Sequence, residues 1–225
     1  MSLFGEVLRE IATRERPSFG EALAAHLELS ILALLTGVLV AVPLAVTVSR
    51  TRPGALVAIN ITNLGRAIPD LAVLGFGFVL FGLGFVPAYV ALALISIPPI
   101  MINTVTGLNQ VDAKVVDSAR GMGFSGLQIL TRVRLPLAAP VIFAGIRTAA
   151  VQVIAGATLA TFIGGGGLGD LIVAGFQSNS VVTQLAGAIP VALLAIAAEL
   201  FFGGLERLST PKGLRLARKA GSQSN

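Results

Sequence analysis

The chain has 225 residues, of which 55% are hydrophobic and only 12% charged, and its mean hydropathy is +0.88. Soluble domains carry about 25% charged residues, so this composition excludes an ordinary water-soluble globule and points to a membrane protein. The net charge of +5 would suit nucleic acid, but the basic residues fall in three short segments beside apolar runs, as orientation signals do; with no cysteine and a single His26, neither a disulfide framework nor a metal site is expected.

In chain order, Met1–Phe19 carries charges of both signs and lacks a short apolar core followed by a small-residue cleavage site, so no removable signal is expected. Leu3, Phe4, Val7, Leu8 and Ile11 share one helical face, and residues 1–25 read either as a peripheral amphipathic segment at the membrane surface or as a frayed terminus. Leu27–Val48 is the first span, long enough to cross a hydrocarbon core of ~30 Å. Glu28 sits at its mouth, Pro43 near its far end, and Ser49–Gly54 forms a turn with Arg50 and Arg52.

The next apolar region, Ala55–Val86, is too long for one straight span and is interrupted by Asn60, Asn63, Gly65, Arg66, Pro69 and Asp70. It reads as a discontinuous second span broken at Gly65–Pro69, or as a separate helix over Ala55–Gly65 with Leu71–Phe85 alone crossing. Arg66 and Asp70 stand four apart and could pair. Irregular backbone at membrane depth survives where it lines a cavity, which makes Ile68, Pro69 and Asp70 pathway candidates. A tight turn, Phe81–Pro87, leads to the third span, Ala88–Leu108, with Pro98 and Pro99 inside and with Asn103 and Thr104 placed to face a partner helix or water.

Val111–Pro140 is a polar, basic island. Val111, Val115, Ala119 and Met122 fall at helical spacing, predicting a short amphipathic helix over Val111–Arg120, ended by Gly121 and Gly123. Ser125 is placed to cap a second helix, Gly126–Val133, with Leu127, Leu130 and Val133 as its apolar face. Pro136 suits the first turn of the helix after it. The fourth span is Leu137–Ile163, where Arg147 must face the bundle interior or a wet cavity. Gly164, Gly165, Gly166 and Gly167, followed by Leu168, Gly169 and Asp170, could be mistaken for a phosphate cradle. No Gly-Lys-Ser/Thr follows, so they read as a sharp, flexing turn. Leu171–Phe176 is a short apolar piece, Val182–Leu205 the fifth span with Glu199 near its end, and 207–225 a basic tail (Arg207, Lys212, Arg215, Arg218, Lys219). Counting positive residues puts Arg50, Arg52 and Arg66, then Lys114, Arg120, Arg132 and Arg134, then the tail on one side, which is therefore cytoplasmic. With about five spans the N-terminus lies outside and the C-terminus inside. The fold is all-α and polytopic, with residues 26–206 as the transmembrane domain.

Within the island, Asp117-Ser118-Ala119, three residues, Gly123, nine residues, then Val133-Arg134-Leu135-Pro136 resembles the signature Glu-Ala-Ala-x3-Gly-x9-Ile-x-Leu-Pro of the membrane subunits of ATP-binding-cassette (ABC) importers. Asp117, Ser118 and Val133 depart from it while keeping charge or size class. The resemblance implies a binding-protein-dependent, type I importer permease fold, with a cytoplasmic helix-turn-helix over 111–136 whose Asp117, Ser118, Ala119, Arg120, Gly121, Met122, Gly123, Leu135 and Pro136 serve docking on the ATPase. Ala67–Leu74, Pro98–Leu108 and Phe162–Asp170 resemble more narrowly the permeases of osmoprotectant importers for glycine betaine, carnitine and choline, over roughly His26 to Leu205. The methionine and other small-solute permeases share much of this layout. The resemblance further implies a second permease copy or paralogue, two ATPase subunits, an extracytoplasmic substrate-binding protein, and a bacterial-type cytoplasmic membrane. This chain has no Walker motif, so it would need no cofactor and hydrolyse nothing; ATP and Mg would belong to the partner ATPase. The residues themselves offer Ile68, Pro69, Asp70, Asn103, Thr104, Arg147 and Gly164 to Gly167 as pathway or gate candidates. An ion-coupled secondary transporter would need intramembrane acids as coupling sites, and Glu199 and Asp70 serve poorly: the first lies near the cytoplasmic end and the second has a local arginine. A non-transporting scaffold would need neither the broken span nor the signature loop.

Overall fold

The computed structural model describes residues 3–14 and 17–210. The tail with Lys212, Arg215, Arg218 and Lys219 lies outside the described residues. Among the described residues the chain is all-helical, and four helical stretches are long and apolar enough to cross a membrane, or five crossings if one bent pair is counted as a span.

Helix α1, Leu3–Thr13, turns Val7 inward against α10, Val181–Ser209, while Leu3, Phe4 and Leu8 stay exposed. The Thr183 hydroxyl donates to Glu10 Oε1 at 3.2 Å, and Arg14 pairs with the same carboxylate at 2.8 Å. The amphipathic face is thus split between the protein and its surroundings. Helix α2, Phe19–Val48, starts earlier than the first span was expected to, because Ser18 and Glu21 form a capping box that nucleates the helix before the apolar run begins. It therefore crosses the boundary drawn at residue 25.

Thr51 caps α3, Arg52–Arg66, and α4, Asp70–Phe81, follows at an angle of 88°. The second apolar region is broken where Pro69 and Gly65 said it would be. The expected Arg66–Asp70 pair is not formed among the described residues, because the bend destroys the i,i+4 register that would bring the two together. Gly82 (φ +81°) and Gly84 (φ +128°) then reverse the chain into α5, Phe85–Asn109.

Helix α5 is the centre of the bundle, packed between α2 and the long helix that follows the polar island. Close approach is made by small residues, as helices in lipid require. A Cβ on Gly37 of α2 would collide with Ser96, and one on Gly145 would stand 2.8 Å from the Pro99 carbonyl oxygen. The Tyr89 and Thr36 hydroxyls share a hydrogen bond of 2.7 Å between α5 and α2, so the only tyrosine is a structural tie.

The island holds α6, Ala113–Gly121, and α7, Gly126–Ile129. The separate helix ending at Val133 is not observed. Leu130–Arg134 forms a π-turn that joins α7 to α8, Leu135–Ala157, in one continuous helix. Pro136 lacks an amide hydrogen, and its ring would crowd the carbonyl one turn earlier. Widening the preceding turn, with the Leu135 amide donating to Leu130 O, absorbs that defect without a break. The buried face is also shifted: Ile129 is buried, whereas Leu127 is 70% exposed. The fourth span ends in a 3-10 turn, Leu159–Ile163, and the glycine run leads to α9, Leu168–Gln177.

Candidate functional site

The polar island forms a helix, a turn and a helix at the end of α5. Asp112 caps α6 by accepting from the Lys114 amide at 2.8 Å. The helix ends in a Schellman motif: Gly123, at φ +84°, donates its amide to Arg120 O at 3.0 Å, and Phe124 donates to Ala119 O at 3.1 Å. Gly123 is therefore required for its backbone, whereas Gly121 is the last helical residue and needs no left-handed conformation. Ser125 and Gln128 make a capping box that starts α7 at once. The Arg134 guanidinium donates to Leu108 O at 2.9 Å and fixes this unit to the base of α5.

The outer surface of the unit is unusual for a loop. Met122 and Leu127 are each 70% exposed, and Val115 is 44% exposed, while Ala119 is buried at 2%. Asp117 and Arg120 pair at 2.9 Å with both side chains mostly in solvent, a contact that contributes at most about 1 kcal/mol. Ser118 donates to Lys114 O within α6. Leu135 and Pro136 lie past the π-turn, not on the α6 surface. Of the signature residues, Asp117 to Gly123 sit together, and Leu135 and Pro136 shape the root of α8 instead.

The pathway candidates do not gather into one site. Ile68 and Pro69 are exposed at the α3–α4 break, with Asp70 beside them partly buried. Asn103 donates to Pro99 O at 2.8 Å and abuts Gly145, so it belongs to the α5–α8 crossing; Thr104 is fully buried there. Arg147 points to α10, meeting Glu206 at 3.2 Å and Glu199 at 3.5 Å. The sequence placed Arg147 in a span but gave no sign of these acids as its partners.

The glycine run lies at the other end of the bundle. Gly164, Gly166 and Gly167 all have positive φ, whereas Gly165 does not. Gly165 is needed for space: a Cβ there would stand 2.7 Å from Ala88 Cβ and 2.9 Å from Ala160 Cβ. The Gly84 amide donates to Ile163 O at 2.7 Å, stapling the α4–α5 turn to this loop. The Thr161 hydroxyl donates to Asp170 across the loop. His26 was missed by the sequence reading as a structural group. It is fully buried, its Nε2 lies 3.1 Å from Ile154 O, and it packs against Gly167. Three segments distant in sequence thus meet at this end.

Residues 33–211 match the family described as "Binding-protein-dependent transport system inner membrane component". The chain is 44% identical over 190 residues to the glycine betaine/carnitine/choline transport system permease protein OpuCB of Bacillus subtilis (strain 168), covering 84% of this chain and 88% of the relative. It is 45% identical to the choline transport system permease protein OpuBB of the same organism, with the same coverage. The carnitine transport permease protein OpuCB of Listeria monocytogenes is 41% identical, over 87% of this chain and 90% of the relative. The MetNI methionine ABC transporter in an inward-facing form shares the fold, with a TM-score of 0.73 at 21% identity, covering 86% of this chain and 96% of that one.

Proposed function

From the premise that the chain belongs to the binding-protein-dependent transport system inner membrane components, we propose that it is the permease of an ATP-driven importer of osmoprotectants such as glycine betaine, carnitine or choline. The observation that carries the substrate class is the identity of 44% and 45% to permeases of those solutes over 84% of the chain. The likeness to the methionine transporter, at 21%, speaks for the fold alone.

In this reading the permease is the transport subunit and a partner ATPase holds ATP and Mg. Two ATPases dock on α6 and its turn in a pair of permeases. The exposed Met122 and Val115 with Asp117 and Arg120 supply the contact, and the rigid root at Arg134 and the π-turn passes the movement to α5 and α8. An extracytoplasmic binding protein delivers solute to the end carrying the glycine run. The N-terminus lies outside and the C-terminus in the cytoplasm. Arg66 drops out of the count behind that orientation, since it lies beside the middle of α5, but Arg50, Arg52 and the charges of the island still point the same way. Segment 1–25 is peripheral up to the first turns of α2, and 26–206 is the transmembrane unit.

The test is uptake into vesicles holding the permease, its ATPase and its binding protein, with labelled glycine betaine, carnitine, choline and methionine. ATP-dependent uptake of at least one quaternary amine, and none of methionine, is expected. Methionine uptake alone would replace the substrate class. Uptake driven by an ion gradient without ATP would make the chain a secondary transporter.

A further inference from the structure

At the break between α3 and α4 a cavity of about 190 Å³ opens, lined by Arg66, Asp70 and Gln152 with Ile95 and Pro98 behind them. Its depth follows from its neighbours. Pro98 lies at the midpoint of α5, a helix of 25 residues, and a Cβ on Gly65 would stand 3.9 Å from the Pro98 ring. At 1.5 Å per residue α5 is slightly longer than a hydrocarbon core of ~30 Å, so the cavity sits near the bilayer centre.

Among the described residues, neither Arg66 nor Asp70 forms an ion pair, and the Gln152 side chain makes no hydrogen bond. Arg66 is exposed, and Asp70 is partly so. Two opposite, uncompensated charges at this depth cannot face lipid without a large penalty, so the face that carries them must border water or a polar guest. Arg147, the other cation within an apolar stretch, shows the contrast: it is paired with Glu199 and Glu206. The 88° bend takes Arg66 and Asp70 out of ion-pair contact while both still line the one cavity.

We infer that Arg66, Asp70 and Gln152 form a transit subsite for a small zwitterion that carries one carboxylate and one quaternary ammonium. The proposal rests on the osmoprotectant reading above and deepens it. The planar guanidinium of Arg66 presents paired donors matched to a carboxylate, and the Gln152 amide adds a further donor. A quaternary ammonium has no hydrogen to donate, so it needs only the nearby negative charge of Asp70. The site then favours solutes with a carboxylate over choline, whose hydroxyl gives Arg66 no charge to meet while its ammonium is repelled.

The experiment measures glycine betaine and choline uptake into vesicles of the full complex under saturating binding protein for each solute. Arg66→Gln should lower the betaine-to-choline uptake ratio about tenfold, as expected when a charge-assisted contact is lost. Asp70→Asn should lower uptake of both. Should Arg66→Gln fail to co-purify with the ATPase, Gln152→Leu carries the test, with a ratio lowered about threefold, since it removes a neutral donor. A ratio unchanged within about twofold in assembled Arg66→Gln and Gln152→Leu overturns the subsite, even where total uptake falls, because a merely structural role of these two residues would depress both solutes alike. An unsubstituted complex that carries neither solute removes the substrate class and the subsite together; one that carries both, at a ratio that stays fixed in the Arg66 and Gln152 variants, removes the subsite alone.

Discussion

Gly123 offers the sharpest test of the docking surface. Its φ is +84°, and a Cβ built there meets nothing within 4 Å. Inside this chain the penalty for substitution is therefore confined to the backbone, about 1–2 kcal/mol for an ordinary residue in the left-handed region and less for Asn or Asp, which hydrogen-bond locally there. The turn retains its flanking caps at Asp112 and Ser125, so the membrane chain should insert in normal amount in all three variants Gly123→Ala, Gly123→Asn and Gly123→Asp. The variants diverge at the partner. Asp adds a charge next to Met122; burying an unpartnered carboxylate costs several kcal/mol, or a loss of about 10²-fold or more in affinity. Gly123→Asn controls for size and backbone. The assay is binding-protein-stimulated ATP hydrolysis in vesicles, with co-purification of the ATPase as a second readout. Stimulation should be reduced a few-fold in Ala and Asn and abolished in Asp. Equal stimulation in Asp and Asn would show that this surface is not buried by an ATPase, and full stimulation in Asp would remove the docking role altogether.

Asp117→Ala should be mild, since the Asp117–Arg120 pair is mostly in solvent and contributes at most about 1 kcal/mol; a loss of stimulation as complete as in Gly123→Asp would mean that Asp117 instead contacts a cation of the ATPase. Gly165→Val should leave assembly intact and depress transport, because overpacking against Ala88 and Ala160 costs about 1–3 kcal/mol at the joint between the two loops; normal uptake would show that this joint tolerates added bulk and plays no part in the gate. Leu83→Cys, at a position 69% exposed, should react with impermeant thiol reagents from outside, and Leu127→Cys, at one 70% exposed, only from the cytoplasmic side; the reverse pattern would invert the topology. Gly167 is unsuited to such labelling, being buried against His26. The purified permease alone should bind quaternary amines too weakly for micromolar detection, since it has no Trp and its single Tyr89 is tied to Thr36; micromolar binding would show a high-affinity site on this chain and refute this.

What the sequence determined by itself was whatever depends on neighbours one to five residues away. Apolar runs of span length, the break at Gly65–Pro69, the cap at Ser125 and the left-handed stop at Gly123 are set by backbone sterics and local hydrogen bonds, and the signature spacing carried the family with them. The tertiary structure alone decided what packing brings together. Arg147 meets Glu199 and Glu206 only because α8 lies against α10; His26 reaches Ile154 only because α2 lies against α8. Gly165 looked like a conformational glycine and proved to be a spacer, because the distance to Ala88 is a property of two helices and not of the run. The Arg66–Asp70 spacing allowed an ion pair, and an 88° bend left the two charges unpaired on a cavity beside the middle of α5. Helical periodicity describes one helix at a time; the orientation of one helix against another is fixed by side chains from both, and no single stretch contains that information.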